Sequence, residues 1–104
     1  MVGLGHGEVW WADVGKVCPV LVLTRAAIAD RLHRVLVAPI TTTVRDISVE
    51  VGLGPNEGVV EGSVANLDNV QLVPVGWLLE PAGTVARRRW DEVCAARAHA
   101  IACD

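Results

Sequence analysis

Two stretches decide the fold, PVLVLTR at residues 19–25 and RVLVAPITTTVR at residues 34–45. A proline followed by an unbroken run of valine, leucine and threonine is typical of a buried strand, and Val35–Ala38 with Ile40 predicts a second one. In both stretches the hydrophobic run passes directly into hydroxyls and an arginine, so these polar residues stand at strand exits. Rigid strand ends hold a hydroxyl and a guanidinium in a fixed relation, as chemistry on a phosphate ester requires. The pattern therefore favours a small site of that kind.

The remaining sequence predicts several more short strands. Alternating apolar residues and turn signals predict strands at 8–14, 46–53 and 73–79, and one or two more within 59–72. We therefore expect one domain over residues 1–104, mainly β with helices (α+β). Its expected architecture is a small, curled antiparallel sheet or barrel with a C-terminal helix.

Two helical segments accompany these strands. Residues 26–32 predict one or two helical turns, and Thr84 is the expected N-cap of the C-terminal helix. The face of that helix predicted to be buried carries Trp90, Val93, Cys94 and Ile101.

The adjacent Trp10 and Trp11 of the first strand must point to opposite faces of the sheet. We expect one in the core and the other outward. An outward tryptophan is either a contact in a dimer or a platform on which a nucleic-acid base stacks.

Composition limits the partners of the chain. Hydrophobic residues make up 52% of the 104 residues, and the mean hydropathy is +0.41. A short chain with this much apolar surface is expected to bury part of it against a partner, most simply a second copy of itself. We therefore expect a homodimer. The formal net charge of -3 argues against a protein whose function is to coat nucleic acid, because the phosphates would repel it. A local groove that holds a few nucleotides with arginines stays compatible with it.

Metal, cofactor and disulfide chemistry have little support in the sequence. The three histidines lie on different elements without paired ligand spacing, so neither a metal nor another cofactor is expected. Cys18, Cys94 and Cys103 are odd in number and lack CxxC spacing, which indicates a reduced, cytoplasmic setting. No apolar run is long enough to span a bilayer and no basic segment opens the chain, so neither membrane insertion nor secretion is expected.

Four blocks of sequence carry a resemblance to a known family. They are GEVWWAD at residues 7–13, PVLVLTR at 19–25, APITTTVR at 38–45 and SVANLDNV at 63–70. In this order they resemble the MazF/PemK family of toxin endoribonucleases, the mRNA interferases of type II toxin-antitoxin systems. The resemblance implies an SH3-like or CcdB-like form of the predicted sheet or barrel. One departure stands out, because the family has an arginine directly before the proline, where this chain has Cys18.

The resemblance implies sequence-specific, metal-independent cleavage of mRNA that leaves a 2′,3′-cyclic phosphate and a 5′-hydroxyl. The neighbouring 2′-hydroxyl is the nucleophile, so the protein must help to remove its proton, stabilise charge on the phosphate and assist the leaving oxygen. In the family this work is attributed to the pre-proline arginine and a threonine after the third strand. Matching the blocks puts the threonine at Thr41 and the arginine at Cys18, with Thr42 and Thr43 as supporting or alternative hydroxyls.

The missing arginine predicts a weak or inactive enzyme unless another cation compensates for it. Removing one positioned stabiliser of the transition state costs about 10²- to 10³-fold in rate. Lys16, Arg25 and Arg45 are the candidates for compensation and for contacts to RNA. A loss-of-function change, natural or introduced, is the other explanation for Cys18.

Further RNA contacts are implied at Ser63, Asp68 and Asn69, which match the region in which family members contact bases. Side chains of this kind read the base edges of unpaired nucleotides. The basic run Arg87–Arg89 resembles a phosphate-binding patch, but its i,i+4 spacing to acidic residues favours ion pairs along the helix. The resemblance also implies a cognate antitoxin whose flexible inhibitory segment folds over the dimer and its active site.

Two other functions stay open. CcdB-like proteins share this fold type and act on DNA gyrase through a helix, and the C-terminal helix with Trp90 would suit such a non-enzymatic toxin. A catalytically dead homologue that only binds antitoxin is the other alternative. The PVLVLTR and TTT blocks favour the ribonuclease.

Overall fold

The computed structural model describes residues 5–25, 31 and 33–101. Within them the chain forms seven strands: β1 (Glu8–Asp13), β2 (Val17–Val22), β3 (Arg34–Thr41), β4 (Glu50–Leu53), β5 (Ser63–Asn66), β6 (Gln71–Pro74) and β7 (Leu78–Thr84). Short 3₁₀ turns occupy Pro55–Glu57, Val75–Trp77 and Arg87–Arg89, and helix α1 spans Trp90–Ile101. The helical turns predicted at 26–32 lie outside the described residues except for Arg31, which is helical.

The strands form one antiparallel sheet in the order β4-β5-β3-β2-β1-β7, and β6 pairs with the first half of β3. The end strands β4 and β7 are not paired with each other in the described part of the chain, so the sheet is open. The molecule measures 34 × 31 × 29 Å, and such nearly equal extents show that the sheet is strongly curled. The predicted fold of mainly β structure with a C-terminal helix is confirmed, as a curled sheet and not as a closed barrel.

Two apolar clusters lie on opposite faces of the central strands. The first cluster packs against α1 and includes Val9, Leu21, Ala38, Ile40, Val59 and Val93. The second cluster includes Ala12, Val20, Val22, Val35, Val37 and Val73. Because successive residues of a strand face opposite sides, β2 and β3 are buried on both faces. This burial explains why their sequences are continuous hydrophobic runs.

Helix α1 begins later than the predicted N-cap at Thr84. Thr84 instead ends β7, where it pairs with Glu8 of β1. Strand pairing satisfies a row of backbone groups at once and therefore outweighs the local capping preference of one threonine. A 3₁₀ turn at residues 87–89 then leads into the helix at Trp90.

The predicted buried face of the helix is confirmed only in part. Trp90 and Val93 pack in the first cluster, whereas Cys94 is exposed. The side chain of Ile101 lies outside the described part of the chain.

The strand predicted at 46–53 is realised only over its second half, as β4. The carboxylate of Glu50 accepts hydrogen bonds from the backbone N–H groups of Arg45 at 3.1 Å and Asp46 at 2.8 Å. Asp46 also has a φ of +59°, which turns the chain away from an extended path. These local contacts replace strand pairing, so Ile47 is exposed on the loop.

The strand predicted at 73–79 is split into two. β6 ends at Pro74, and a 3₁₀ turn separates it from β7. The split is required because β6 pairs with β3 whereas β7 pairs with β1, which lies two strands away in the sheet. The predicted region 59–72 contains β5 and the start of β6.

Trp10 and Trp11 face opposite sides of β1, as predicted, but both are half-buried. Trp10 packs against the second cluster, and its Nε1–H donates to Glu8 Oε1 at 2.8 Å. Trp11 lines a pocket at the end of β3. The expectation of one core and one outward tryptophan is therefore wrong.

Candidate active site

The register between β2 and β3 brings the start of one strand to the end of the other. The paired residues are Val20 with Pro39, Leu21 with Ala38, and Val22 with Val37. In an antiparallel pair, each step back along one strand is a step forward along the other. The pairing of β2 with β3 ends at Val20 and Pro39: Cys18 pairs with Ala12 of β1 and Thr41 pairs with Val64 of β5, so the entry of β2 and the exit of β3 lie at the same end of the sheet.

A pocket of about 340 Å³ lies at this point, within the size range of small-molecule sites. Its walls come from the paired strands β1 and β2, from the end of β3, and from residues 54–62, named here the 54–62 loop. The side chains that matter for its chemistry are Trp11, Pro19, Thr41, Thr42, Val60 and Ser63.

Thr41 presents a fixed hydroxyl to this pocket. Its Oγ1 accepts a hydrogen bond from the backbone N–H of Thr43 at 3.1 Å. That bond uses a lone pair, so the hydroxyl hydrogen is left to donate to another group. Ser63 is buried, and its hydroxyl donates to the carbonyl of Val60 at 2.7 Å. Thr41 is therefore suited to contact a substrate, whereas Ser63 holds the neighbouring loop.

Cys18 does not line the pocket, although its neighbour Pro19 does. Its side chain packs against the second cluster beside Trp10. Burial raises the pKa of the Cys18 thiol, and the positive charge of Lys16 offsets part of this shift. The thiol is consequently neutral around pH 7 and cannot replace the guanidinium of an arginine.

The predicted cations at this end of the sheet flank the pocket without lining it. Among the described residues that form its walls, none carries a charge. Lys16 is exposed in the turn between β1 and β2, near enough to Cys18 to influence its pKa. Arg45 is exposed on the loop after β3, where Glu50 binds its backbone N–H.

Arg25, a candidate for compensating the missing arginine, is not brought to the pocket. The N–H of Leu23 donates to the carbonyl of Leu36 at 2.8 Å, and the N–H of Leu36 donates to Thr24 Oγ1 at 2.6 Å. The exit of β2 thus lies about 16 Å from Thr41, at roughly 3.3 Å per residue along β3. Antiparallel strands place the exit of one beside the entry of the next, so the pocket joins the entry of β2 to the exit of β3.

Asp68 and Asn69 lie in the turn that follows β5, away from the pocket. Asn66 organises this turn, because its Oδ1 accepts from the N–H of Asp68 at 2.9 Å and its carbonyl from the N–H of Asn69 at 3.4 Å. β5 begins beside the pocket at Ser63 and runs away from it. Both exposed side chains therefore face another part of the surface.

A second cavity, of about 920 Å³, borders the same 54–62 loop. Arg88 and Arg89 line it, so this part of the basic run faces the second cavity and not the pocket. Arg89 forms ion pairs with Glu92 at 2.9 Å and with Glu57 at 3.5 Å.

The ion pairs predicted at i,i+4 spacing, Arg87 with Asp91 and Arg88 with Glu92, are not formed among the described residues. Residues 87–89 form a 3₁₀ turn ahead of the helix, so side chains four positions apart do not share a helical face.

The 54–62 loop contributes to the site in a way that the sequence pattern does not reveal. The glycines and the proline at residues 54–58 predict only a loop, and residues 59–62 belong to the region in which one or two strands are predicted. The available signal is glycine itself, since Gly58 and Gly62 have φ values of +83° and +84°, which other residues rarely adopt. The packing of the loop depends on partners distant in sequence.

The described part of the chain contains no cluster of three or more histidine, cysteine or acidic side chains that could hold a metal ion. Cys18 and Cys94 are free thiols, and Cys103 lies outside the described residues. None of the described helical segments is long and apolar enough to cross a membrane.

Comparison with known proteins identifies relatives along nearly the whole chain. A model of the family described as "PemK-like, MazF-like toxin of type II toxin-antitoxin system" matches residues 6–101. The chain is 41% identical over 101 residues to probable endoribonuclease MazF5 of Mycobacterium tuberculosis, which covers 94% of this chain and 93% of the relative.

Solved structures give the same result. The Mycobacterium tuberculosis toxin MazF-mt6 superposes with a TM-score of 0.88 at 35% identity, over 93% of this chain and 98% of that chain. A mycobacterial endoribonuclease solved in complex with its cognate antitoxin shares the fold, with a TM-score of 0.87 at 24% identity over 98% of each chain. These comparisons do not favour the CcdB-like alternative. The chain belongs to the PemK-like, MazF-like family of toxins of type II toxin-antitoxin systems.

Proposed function

We propose that this chain is a toxin endoribonuclease that cleaves single-stranded mRNA at specific sequences without a metal ion. Family membership supports the activity, because its relatives are named endoribonucleases. The observation that carries the site is the register of β2 and β3. It brings the entry of β2, where Cys18 matches the position of the family's arginine, to the same end of the sheet as Thr41, which lines a pocket that bears hydroxyl groups.

In the proposed reaction the 2′-hydroxyl oxygen of the RNA attacks the adjacent phosphorus and loses its proton. The bond from O2′ to phosphorus forms while the bond from phosphorus to the 5′ oxygen breaks, and the leaving oxygen takes up a proton. The products are a 2′,3′-cyclic phosphate and a 5′-hydroxyl. Thr41 donates its hydroxyl hydrogen to a non-bridging phosphate oxygen, where negative charge grows in the transition state.

This chain has Cys18 at the position of the family's arginine, so the proposed site lacks that cation. We expect a rate about 10²- to 10³-fold below that of a site with a positioned arginine. Lys16 is the nearest candidate for partial compensation, because its charge acts on the Cys18 thiol. Arg45, on the exposed loop after Thr41, is the second candidate.

Trp11 gives the same pocket an aromatic surface beside Pro19. We expect the base next to the scissile phosphate to stack on Trp11, which is worth about 1–3 kcal/mol per base. Thr42 and Ser63 lie close enough to contact the same nucleotide.

The other predicted RNA contacts are distant from the point of cleavage. Asp68 and Asn69 lie in the turn beyond β5, and Arg25 lies at the exit of β2. These side chains would bind nucleotides that flank the cleaved one, as would Thr43.

A cognate antitoxin and a second copy of the chain are the proposed protein partners, and the cytoplasm, where mRNA is found, is the proposed location. The family description supports the antitoxin, and the structural neighbour solved with its antitoxin supports a binding surface on this fold. Exposed apolar side chains support the homodimer; they include Val17, Val60, Leu72, Trp77 and Leu79.

The test is incubation of the full chain with a long, lightly structured RNA in EDTA, with both product ends mapped. We expect slow cleavage at a limited set of sequences, leaving cyclic phosphate and 5′-hydroxyl ends. The matched control is Thr41→Val, which replaces the hydroxyl by a methyl group and should abolish this cleavage. Equal cleavage by both proteins would contradict the proposed site. If neither this chain nor the Cys18→Arg variant cleaves RNA, the chain is instead a catalytically dead homologue that only binds antitoxin.

A further inference from the structure

The 54–62 loop forms one wall of the pocket, yet it is held by contacts outside the pocket. It supplies Gly58, Val59 and Val60 to the wall that faces Thr41. Val59 packs in the first cluster, whereas the side chain of Val60 is 65% exposed. The position of the wall therefore depends on how the rest of the loop is attached.

The first attachment is a backbone contact between the loop and β7. A Cβ atom on Gly58 would overlap the backbone carbonyl of Ala82, and one on Gly83 would overlap the backbone carbonyl of Glu57. Two glycines thus allow the two chain segments to touch without side chains between them.

The second attachment is the ion pair of Glu57 with Arg89. Glu57 is only 7% exposed, and its Oε1 accepts a hydrogen bond from the N–H of Gly54 at 2.7 Å. Its Oε2 lies 3.5 Å from Nη1 of Arg89. Nη2 of Arg89 also donates to the carbonyl of Gly52 in β4 at 2.7 Å. The guanidinium of Arg89, which lies just before α1, therefore connects the loop to β4.

This ion pair differs in kind from the surface pair of Arg89 with Glu92. Glu92 has a side chain that is 55% exposed, and water replaces its partner at little cost. Removing Arg89 would leave the carboxylate of Glu57 buried without its partner, which is strongly unfavourable. The loop would then have to move to hydrate that carboxylate.

We propose that Glu57 and Arg89 are positioning residues of the ribonuclease site, which hold the 54–62 loop so that residues 58–60 face Thr41. This inference rests on the proposed ribonuclease function. Neither residue touches RNA in this account; both act through the loop. Because a displacement of about 1 Å in a substrate-positioning wall costs up to about 10²-fold in rate, even a modest shift of the loop should be measurable.

The test compares Arg89→Met with Glu92→Gln. Arg89→Met keeps an apolar stem and removes the charge from Glu57, whereas Glu92→Gln removes only the exposed partner of the same arginine. RNA cleavage in EDTA is measured well below the unfolding temperature of each variant, in this chain and in the faster Cys18→Arg background. Hydrogen exchange of the loop amides is measured on the same proteins.

We expect Arg89→Met to lower kcat about tenfold with little change in KM, and to speed exchange of the loop amides about tenfold. Glu57→Gln should act in the same direction, Arg89→Lys should restore part of kcat, and Glu92→Gln should match the parent. Unchanged exchange in Arg89→Met, or faster exchange with unchanged kcat, would overturn the inference.

Failure of the proposed function gives a different result. In that case neither background cleaves RNA, and the catalytic part of the inference fails with it. Hydrogen exchange would still decide whether Arg89 holds the loop.

Discussion

The two cavities that border the 54–62 loop differ in whether charged side chains line them. The pocket at Thr41 presents hydroxyl groups and the ring of Trp11, and none of its described lining residues is charged. The second cavity is lined by Arg88 and Arg89 and also by Glu57 and Glu61, and Arg89 forms an ion pair with Glu57. Arg89 therefore attaches the loop, while no described side chain that lines the pocket at Thr41 is a cation. Under the proposed function, we expect the missing positive charge, and not the shape of the pocket, to limit the rate of RNA cleavage.

Cys18→Arg should change this comparison most, because it places a permanent positive charge at the entry of β2, at the same end of the sheet as Thr41. We expect RNA cleavage in EDTA to rise about 10²- to 10³-fold. Cys18→Ser is the matched control, since it changes the side chain without adding charge, and its initial rate should equal that of the parent. A serine variant as active as the arginine variant would show that the thiol, and not the missing charge, suppresses the reaction.

Gly58→Ala should disturb the pocket wall without altering any charge. A Cβ there overlaps the backbone of Ala82 at a φ of +83°, so we expect a loss of about 2–3 kcal/mol in the free energy of unfolding. At about 4–8 °C per kcal/mol, Tm falls by roughly 10–20 °C. Gly62→Ala is the control, because Gly62 has nearly the same φ, +84°, but no atom within 4 Å of its Cβ. Similar Tm values for the two variants would mean that the contact with β7 does not hold the loop.

Trp11→Ala should weaken RNA binding at the pocket by about 5- to 150-fold, the equivalent of 1–3 kcal/mol for one stacked base. The measurement is fluorescence anisotropy with a labelled RNA whose 2′-hydroxyls are methylated, so that cleavage does not interfere. Trp11→Phe keeps an aromatic face and should retain most of the affinity. If the alanine and phenylalanine variants bind equally well, Trp11 is not a stacking platform.

The smallest expected effect concerns the reactivity of Cys18. Burial raises its pKa, so at pH 8 its thiolate fraction is low and iodoacetamide should label it more slowly than the exposed Cys94. Lys16→Met removes the positive charge that partly offsets the rise in the pKa of Cys18, so labelling of Cys18 should slow further. The same shift lowers the free energy of unfolding as the pH rises above about 9, because the thiol ionises more easily in the unfolded chain. Faster labelling of Cys18 than of Cys94 would contradict this description.

The sequence predicted the central part of the fold well, because β2 and β3 are buried on both faces and their hydrophobic runs show it directly. The predicted element boundaries are wrong where another contact of the folded chain outweighs the local sequence pattern. Thr84 has the features of an N-cap, but its pairing with Glu8 extends β7 instead. Residues 46–49 resemble a strand, but the carboxylate of Glu50 binds the preceding backbone N–H groups.

The site could be predicted only through residues that share a motif. Thr41 and the Cys18 position follow from the family resemblance, and the register of β2 and β3 puts them at the same end of the sheet. The distance of Arg25 from the pocket follows from strand pairing, because antiparallel neighbours place their exits at opposite ends of the sheet. The pair of Glu57 with Arg89 joins a loop to a turn ahead of the helix, and no local pattern encodes such a contact.

The most direct test of the account is a comparison of RNA cleavage rates in EDTA among four proteins: the parent, Cys18→Arg, Thr41→Val and the variant that carries both changes. If the two positions form one site, the gain of about 10²- to 10³-fold from the arginine should vanish when the Thr41 hydroxyl is absent. If the arginine raises the rate equally with and without that hydroxyl, the two residues act independently and the proposed active site is wrong.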